Sequence, residues 1–546
     1  MASLAVGADR SASSVSGAVQ QPLGHARLEG GLEGAGAFKV DFPLLIVGAG
    51  PHALALLTKL MEPSLDQLEE NPSNKTLFKV SNSNRISAKY KLLPDHIFTQ
   101  KDATIRGKWS KAQRSQAEHK AFLENVCIVD RNKSWLAQWK HQFAALGIPN
   151  LRSALGAHCD PVDPQGMRIF IEKNWDRDSA VVNLDLDRSV AYHGPYEVPK
   201  TGVYNAFSES IVERYHLEGS ITQGTVTDVK AVLRQQGTDG NAKCGTKKAH
   251  FFRVELADGA VITASNVVFA TGPLNTPVYP EFYGDLDDEE RTSIPPGRLL
   301  HSCNIMWAHE NRQGVESFKK LLIVGGGLTA GHLAVRAMRM CSGDQHVSLV
   351  ARGPLQSRQF DLDLPWMGRE RTSRLATFWS KADYNQRMEV LLSAKNGGSM
   401  TPEVLKELEE GKESGLFSCF EDSDIEYAYF DDSSNLWEVQ FSGDHDGPLF
   451  FDTIWCATGT KVDVRLDATF KGLEGYFNIV GDRLPKLTND LRLHADLNAF
   501  VLGEHAGLTL GPGSVNLMGA RGGAARVAEA LRRAGSVPGR HPGGKD

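Results

Sequence analysis

The chain has 546 residues, enough for several domains of about 150 residues each. Its 60 Lys and Arg stand against 66 Asp and Glu, and the resulting net charge of −6 argues against a histone-like or polyanion-binding protein and against an acidic disordered chain. Hydrophobic residues make up 41% and charged residues 23%, which is typical of a soluble globular protein.

The first 40 residues are rich in Ser, Gly and Ala and lack the apolar core of a secretory signal. We expect a flexible tail there, with an organellar transit peptide as the alternative. None of the seven cysteines forms a Cys-x-x-Cys pair, which predicts a reducing, cytoplasmic setting and excludes dithiol chemistry of that usual form. The chain has no apolar run of 18 residues, so we expect no membrane span.

Ordered structure is predicted to begin at Phe42. An apolar strand over 42–47 leads into the turn Gly48-Ala49-Gly50-Pro51-His52-Ala53 and then a helix to Met61. A strand, a Gly-x-Gly-x-x-Ala turn and a helix together predict a dinucleotide-binding unit, with a structural glycine turn in some other α/β fold as the alternative. In such a unit Gly48 permits the tight turn, Gly50 lets the backbone approach a pyrophosphate, and Ala53 lets the helix pack closely. The free N–H groups of the helix then face the phosphates.

An acidic residue at the end of the next strand binds ribose hydroxyls in such units. Asp130, which ends a predicted strand over 126–129, is the candidate. It follows Ala53 at far more than the usual distance of about 20 residues, so we predict an insertion over about 63–125. That insertion is rich in Lys and Arg; we interpret it as a solvated loop, with an acidic partner or membrane surface as the alternative.

A helix over about 135–146 carries Trp135 and Trp139 on one face. They are interpreted as core packing, with a wall beside a flavin as the alternative. Predicted hairpin strands over 251–256 and 261–264 precede a buried strand over 267–270, which ends in Thr271 and Gly272.

The middle of the chain repeats this plan, which is the strongest organisational signal in the sequence. A strand over 321–324 leads into the turn 325–330, with Gly325, Gly327 and Thr329, and then into a helix to Met340. The next strand, over 346–351, ends in Arg352 instead of an acidic residue. A guanidinium suits the 2′-phosphate of NADP, so we predict NADPH, with a solvent-exposed strand end as the alternative.

A second strand of this half, over 454–457, ends in Thr458 and Gly459. The final predicted unit is a strand over 500–502 with Gly503 and Glu504 after it, a glycine-rich loop, and a helix that starts near Asn516 and Leu517. Together these elements predict an α/β fold with two Rossmann-like dinucleotide-binding domains. The predicted bounds are a tail over 1–40, an FAD domain over 41–314 and 461–535, an inserted NADP domain over 315–460, and a tail over 536–546.

These motifs resemble those of the two-dinucleotide flavoproteins, and among them the flavin-dependent monooxygenases of the N-hydroxylating (lysine/ornithine) and dimethylaniline-oxidising kinds. The resemblance covers about 42–533 and includes both Ala-Thr-Gly turns. It implies that Glu504 lies near the flavin ribityl chain and that the helix after Asn516 points at the flavin ring. It also makes Trp139 and Arg152 candidates for cofactor contact and Asn275 a guess at a catalytic hydrogen-bond donor to the flavin.

The resemblance implies FAD, NADPH and O2, with a flavin C4a-hydroperoxide oxygenating a small amine or thioether. We expect no nucleic-acid partner and leave the oligomeric state open. Two alternatives stay open: a flavin NADPH oxidoreductase or halogenase without such oxygenation, and a non-catalytic regulatory protein with a flavoprotein fold. The Baeyer–Villiger fingerprint is incomplete, since Pro295 stands where Phe is required.

Overall fold

The computed structural model describes residues 40–62, 116–161, 163–184, 197–233, 249–272, 276–305, 318–368, 370–443, 447–481 and 483–536. The predicted tails and most of the predicted insertion over 63–125 lie outside these ranges. The last part of that insertion forms a helix, Gln116–Leu123, whose Phe122 joins the core beside the second strand.

All strands of the first sheet except its last one precede residue 270. Its elements and their neighbours are β1 Phe42–Val47, α1 Pro51–Met61, α2 Gln116–Leu123, β2 Val126–Asp130, α3 Ala137–Ala145, α4 Gly166–Asn174, α5 Arg177–Ala180, β3 Val181–Asn183, β4 Glu197–Pro199, α6 Thr201–Arg214, β5 Ile221–Gln223, β6 Val226–Leu233, β7 Ala249–Leu256 and β8 Val261–Phe269. The sheet order is β5-β2-β1-β8-β7-β6. β5, β2, β1 and β8 run parallel, while β7 and β6 are antiparallel.

The second sheet follows after two short helices. The elements are α7 Glu281–Asp285, α8 Asp288–Ser293, β9 Leu299–His301, β10 Lys320–Val324, α9 Leu328–Met340, β11 His346–Val350, β12 Gln356–Ser357, α10 Arg371–Ser380, α11 Tyr384–Ser393, β13 Ser399–Met400, α12 Pro402–Glu413, β14 Phe417–Phe420, β15 Ile425–Asp431, β16 Leu436–Phe441, β17 Leu449–Phe451 and β18 Thr453–Cys456. Its parallel order is β14-β11-β10-β18-β9. β15, β16 and β17 form a separate antiparallel sheet.

The chain then returns to the first sheet. Two 3-10 segments, Val464–Leu466 and Ala468–Tyr476, precede β19 Ile479–Val480, β20 Leu484–Pro485, β21 Ala499–Val501, α13 Gly507–Leu510 and α14 Leu517–Arg533. β21 pairs with β8 in parallel, with Val501 opposite Phe269. α14 packs on α1, and the Arg532 guanidinium donates hydrogen bonds to the Lys59 and Glu62 carbonyls at the end of α1.

Most predicted elements lie where the sequence patterns place them, with two differences. The helix expected over about 135–146 begins at Ala137, because Leu136 has a left-handed conformation with φ of +61°, so Trp135 and Trp139 do not share a helix face. The second hairpin arm and the buried strand after it are one strand, β8. Its first half pairs antiparallel with β7, and its second half lies between β1 and β21. The predicted domain bounds stay predictions; β9 lies within 41–314 yet pairs with β18 of the second sheet.

Candidate active site

The first glycine-rich turn lies at the carboxyl edge of the first sheet. The Gly48 N–H donates to the Val129 carbonyl at 2.8 Å, and the Ala270 N–H donates to the Val47 carbonyl at 2.9 Å. Gly48 has φ of +103°, and a Cβ there would lie 2.4 Å from the Ala270 carbonyl oxygen. Only glycine fits this position, because both the backbone angle and the contact exclude a side chain.

The second turn repeats these contacts. The Gly325 N–H donates to the Val350 carbonyl at 2.9 Å, and the Ala457 N–H donates to the Val324 carbonyl at 2.8 Å. Gly325 has φ of +137°, and a Cβ there would lie 2.5 Å from the Ala457 carbonyl oxygen. Each glycine turn therefore packs directly against the backbone of one Ala-Thr-Gly segment.

Both turns open into helices that can receive phosphate. α1 and α9 begin after Gly50 and Gly327, and neither has an acidic residue in its first turn or a side chain that caps it. A Cβ on Gly50 would meet no atom within 4 Å, so this position faces open space. Ala53 and Ala330 are fully buried, which allows both helices to pack closely on their strands. These features fit a pyrophosphate at each helix N-terminus.

Asp130 lies beside the first turn, as predicted. Its carboxylate accepts hydrogen bonds from the Ala49 N–H at 2.8 Å and from the Asn132 N–H at 2.7 Å. The carboxylate thus orders the turn directly. Contact with a ribose stays a prediction.

Arg352 lies at the carboxyl edge of the second sheet, two residues after β11 ends. By strand register it is one residue beyond the position equivalent to Asp130, which Ala351 holds. Its side chain is exposed. Within the described residues it makes no hydrogen bond or ion pair, so the guanidinium has donors available for a phosphate. Thr329 lies in the first turn of α9, and its side chain is partly exposed.

The amino end of α14 is held beside the first turn. The Asn516 side chain accepts a hydrogen bond from the Met518 N–H at 3.1 Å and so caps α14, while Leu517 is buried. His52 Nε2 lies 3.2 Å from the Val515 carbonyl oxygen. Burial lowers the pKa of His52 to about 4, so this imidazole is neutral near pH 7 and donates to that carbonyl. The predicted flavin helix and the predicted phosphate turn therefore lie side by side.

Two predicted contact residues have structural partners. Trp139 stacks on Phe143 with ring centroids 4.5 Å apart and also contacts Tyr204. Arg152 donates to the carbonyls of Arg358, Gln359 and Phe360 and to the Ser399 hydroxyl, over 2.8–3.1 Å. Arg152 therefore joins the first half of the chain to the segment between β12 and β13. Cofactor contacts of Trp139 and Arg152 stay predictions.

The two Ala-Thr-Gly turns lead into segments that connect the two sheets. The Thr271 hydroxyl lies 3.4 Å from Asp467, and Gly272 has φ of +76°. Gly459, with φ of +86°, accepts a hydrogen bond from the Val278 N–H at 3.1 Å. The segments 276–278 and 459–461, which connect the two sheets, thus pair with each other. Asn275, the predicted catalytic residue, lies outside the described residues.

The turn after β21 carries a contact that the sequence did not reveal. Gly503 has φ of +80° and ψ of −146°, a conformation almost confined to glycine. Glu504, which follows it, forms an ion pair with Lys395 from the loop after α11. Arg387 on α11 donates to the Leu508 carbonyl, and Trp379 on α10 donates to the Thr509 carbonyl. No motif signals Lys395, because it is distant from Glu504 in sequence.

Comparison with known proteins bears on this architecture. Residues 177–367 match the family model of pyridine nucleotide-disulphide oxidoreductases. No curated protein sequence matches the chain. Reduced ornithine hydroxylase from Pseudomonas aeruginosa superposes with a TM-score of 0.58 at 15% identity, covering 91% of this chain and 99% of that one.

Two further solved structures are similar. Ornithine N-hydroxylase from Kutzneria sp. 744, with reduced FAD, NADP+ and L-ornithine, gives a TM-score of 0.58 at 14% identity, covering 90% and 99% of the two chains. FAD-bound cadaverine monooxygenase from Erwinia amylovora gives 0.55 at 14% identity, covering 93% and 100%. The chain has the two-dinucleotide flavoprotein fold. In the described part of this flavoprotein-fold chain, no helix is long and apolar enough to cross a membrane.

Proposed function

We propose that this protein is an FAD- and NADPH-dependent monooxygenase that oxygenates a small amine or thioether. The observation that carries the proposal is the pair of matched glycine turns, each closed on an Ala-Thr-Gly carbonyl and each followed by an uncapped helix. Two such turns in one chain support two dinucleotides, one of which can pass hydride to the other.

The residues present fit the two cofactors. FAD would lie on the first turn, with Gly48–Ala53 at its pyrophosphate, Asp130 at its ribose, and Glu504 and the start of α14 at its flavin end. NADPH would lie on the second turn, with Gly325–Thr329 at its pyrophosphate and Arg352 at its 2′-phosphate. When bound, the two cofactors supply hydride transfer and oxygen activation.

The protein's own contribution is positioning and exclusion of water. Arg152 fastens the segment 358–395 to the first half of the chain, and the Lys395–Glu504 pair fastens it to the turn after β21. The same segment packs on α13. The amine class is supported by the structural neighbours, since ornithine and cadaverine, which their names give, are primary amines.

The proposal is tested on the purified full-length chain. We expect a bound flavin spectrum, reduction by NADPH without oxygen, and, after oxygen is admitted with a panel of primary amines and thioethers, oxygenated product in amounts that exceed the hydrogen peroxide released. Peroxide equal to the NADPH consumed with every substrate would instead indicate an oxidoreductase without oxygenation. A colourless protein that consumes no NADPH would indicate a non-catalytic role.

A further inference from the structure

The small sheet β15–β17 presents an exposed aromatic face. Tyr427, Tyr429 and Phe450 are 44%, 52% and 47% exposed, whereas the opposite face of the sheet, with Phe430 and Trp437, is buried. Exposed aromatic groups placed together in one sheet face are uncommon on a monomer surface and indicate an interaction site.

A carboxylate lies in the middle of this face. Glu438 is paired with Tyr429 on one side and with Phe450 on the other. The Tyr427 hydroxyl donates to Glu438 Oε1 at 3.0 Å. The aromatic rings therefore surround a negative charge.

The stretch of sequence that forms this face is strongly acidic. The sequence contains no Lys or Arg between Lys412 and Lys461, while acidic residues recur throughout this stretch. A groove of about 240 Å³ continues from Tyr429. Its lining includes the acidic residues Glu289, Glu290 and Asp432 and no basic residue.

Acidic residues also predominate on α7 and α8, which flank the groove, and Arg291 on α8 forms an ion pair with one of them, Asp288. Over 281–290 the acidic residues are Glu281, Asp285, Asp287, Asp288, Glu289 and Glu290. An uncharged apolar partner would bury these carboxylates without compensation, which is costly. The face therefore requires an occupant that brings positive charge as well as flat surfaces for aromatic contact.

We propose that this acidic aromatic face, defined by Tyr427, Tyr429, Glu438, Phe450 and the groove beside α8, binds an arginine-rich segment of a partner protein. A guanidinium stacks on aromatic rings and bonds to carboxylates at the same time, which an ammonium does less well. A second copy paired symmetrically through this face would bring the same negative charge to it, which disfavours that occupant.

The test uses the full-length chain and a fluorescein-labelled peptide of nine arginines, with a nine-lysine peptide for comparison, at 150 mM salt. Fluorescence anisotropy gives the dissociation constants. We expect Tyr429→Ala combined with Phe450→Ala to raise the dissociation constant of the arginine peptide by about tenfold. We expect a similar loss when Glu289, Glu438 and Asp432 are changed to Gln, Gln and Asn. We also expect the lysine peptide to bind more weakly than the arginine peptide.

Matched control variants distinguish binding at this face from nonspecific electrostatic attraction to acidic surface elsewhere on the chain. Glu409→Gln, Glu410→Gln and Glu413→Gln remove the same charge from exposed positions on α12, and Trp175→Ala removes an aromatic residue that is 41% exposed elsewhere. We expect both to bind the peptide as the parent chain does. Thermal unfolding by circular dichroism verifies that each variant is folded.

Five results would overturn the proposal. They are absence of binding, equal weakening by the test and control variants, and equal binding of the arginine and lysine peptides. The fourth is binding that occurs only after the Lys and Arg residues over 71–114 are changed to Gln in the full-length chain, which would make this chain's own basic segment the occupant. A dimer in sedimentation that Tyr429→Ala dissociates, without peptide binding, would also refute it, because the occupant would be a second copy.

Discussion

Gly325→Ala is the sharpest test of the second turn. The added Cβ would lie 2.5 Å from the Ala457 carbonyl oxygen and 3.0 Å from its carbon, at φ of +137°. The backbone angle costs about 1–3 kcal/mol and the close contact about 1–3 kcal/mol more, so the turn must move away from Ala457. Because the turn then no longer presents its N–H groups to a pyrophosphate, we expect NADPH affinity to fall by at least about tenfold, or 1.4 kcal/mol.

The assay measures both cofactors in one preparation. Flavin absorption gives the FAD content, and quenching of tryptophan fluorescence gives the dissociation constant for NADPH. The first turn is unchanged in this variant, so we expect FAD content to stay at the parent level. Thermal unfolding should occur several degrees lower, since about 1 kcal/mol shifts the midpoint by a few degrees in domains of this size.

A matched variant separates the effect of the Cβ contact with Ala457 from the effect of the positive φ. Gly443 also has a positive φ, of +98°, but a Cβ there would meet no atom within 4 Å. Gly443→Ala should therefore show the backbone cost with unchanged NADPH affinity. If Gly325→Ala bound NADPH as tightly as Gly443→Ala, the assignment of this turn to a dinucleotide would be wrong; loss of FAD from Gly325→Ala would show that the whole chain had been disrupted.

Three further predictions follow from single groups. Arg352→Asp should weaken NADPH binding by about 1–3 kcal/mol and leave NADH binding almost unchanged. The ratio of the two dissociation constants measures this, and an unchanged ratio would refute the NADPH assignment. Arg152→Met should lower the free energy of unfolding in urea titration by about 1–3 kcal/mol and make residues 358–400 more susceptible to limited proteolysis. The surface variant Arg253→Met is the control. If 358–400 were equally resistant to proteolysis in both variants, the fastening role of Arg152 would be contradicted. Burial lowers the pKa of His52, His158 and His332 to about 4 in the folded chain, below the unfolded value of 6.5, so the unfolded chain takes up more protons and the free energy of unfolding should fall as pH drops from 6.5 to 4. His332→Asn should reduce this loss in urea titrations at pH 5 and 7, and an identical pH dependence would contradict it.

The histidine prediction also shows how the fold alters ordinary groups. His332 lies on α9, where burial and the neighbouring Arg339 and Arg152 guanidiniums disfavour its charged form. Arg339 is close to His332 in the sequence, but burial, which is the largest cause, and the contribution of Arg152, which is distant along the chain, arise only from packing. The pKa shift is therefore a property of the packed structure.

Local sequence determined both dinucleotide units of this chain. A short apolar strand, a Gly-x-Gly-x-x-Ala turn and an amphipathic helix specify their own geometry, so Gly48–Ala53 and Gly325–Ala330 were predictable from adjacent residues. The location of Asp130 at the end of the next strand was likewise predictable, because the carboxyl ends of parallel strands meet at one edge of a sheet. Arg352 lies at the same edge of the second sheet, two residues after β11 ends.

Tertiary structure alone decided which distant residues meet around those units. The close approach of Ala270 to Gly48, the Lys395–Glu504 pair and the Arg152 contacts join segments widely separated in sequence. No local preference encodes such contacts, since they arise from how the sheets and helices pack. The acidic aromatic face has the same origin: sheet pairing brings Glu438 between Tyr429 and Phe450, whereas the sequence shows only a stretch without basic residues.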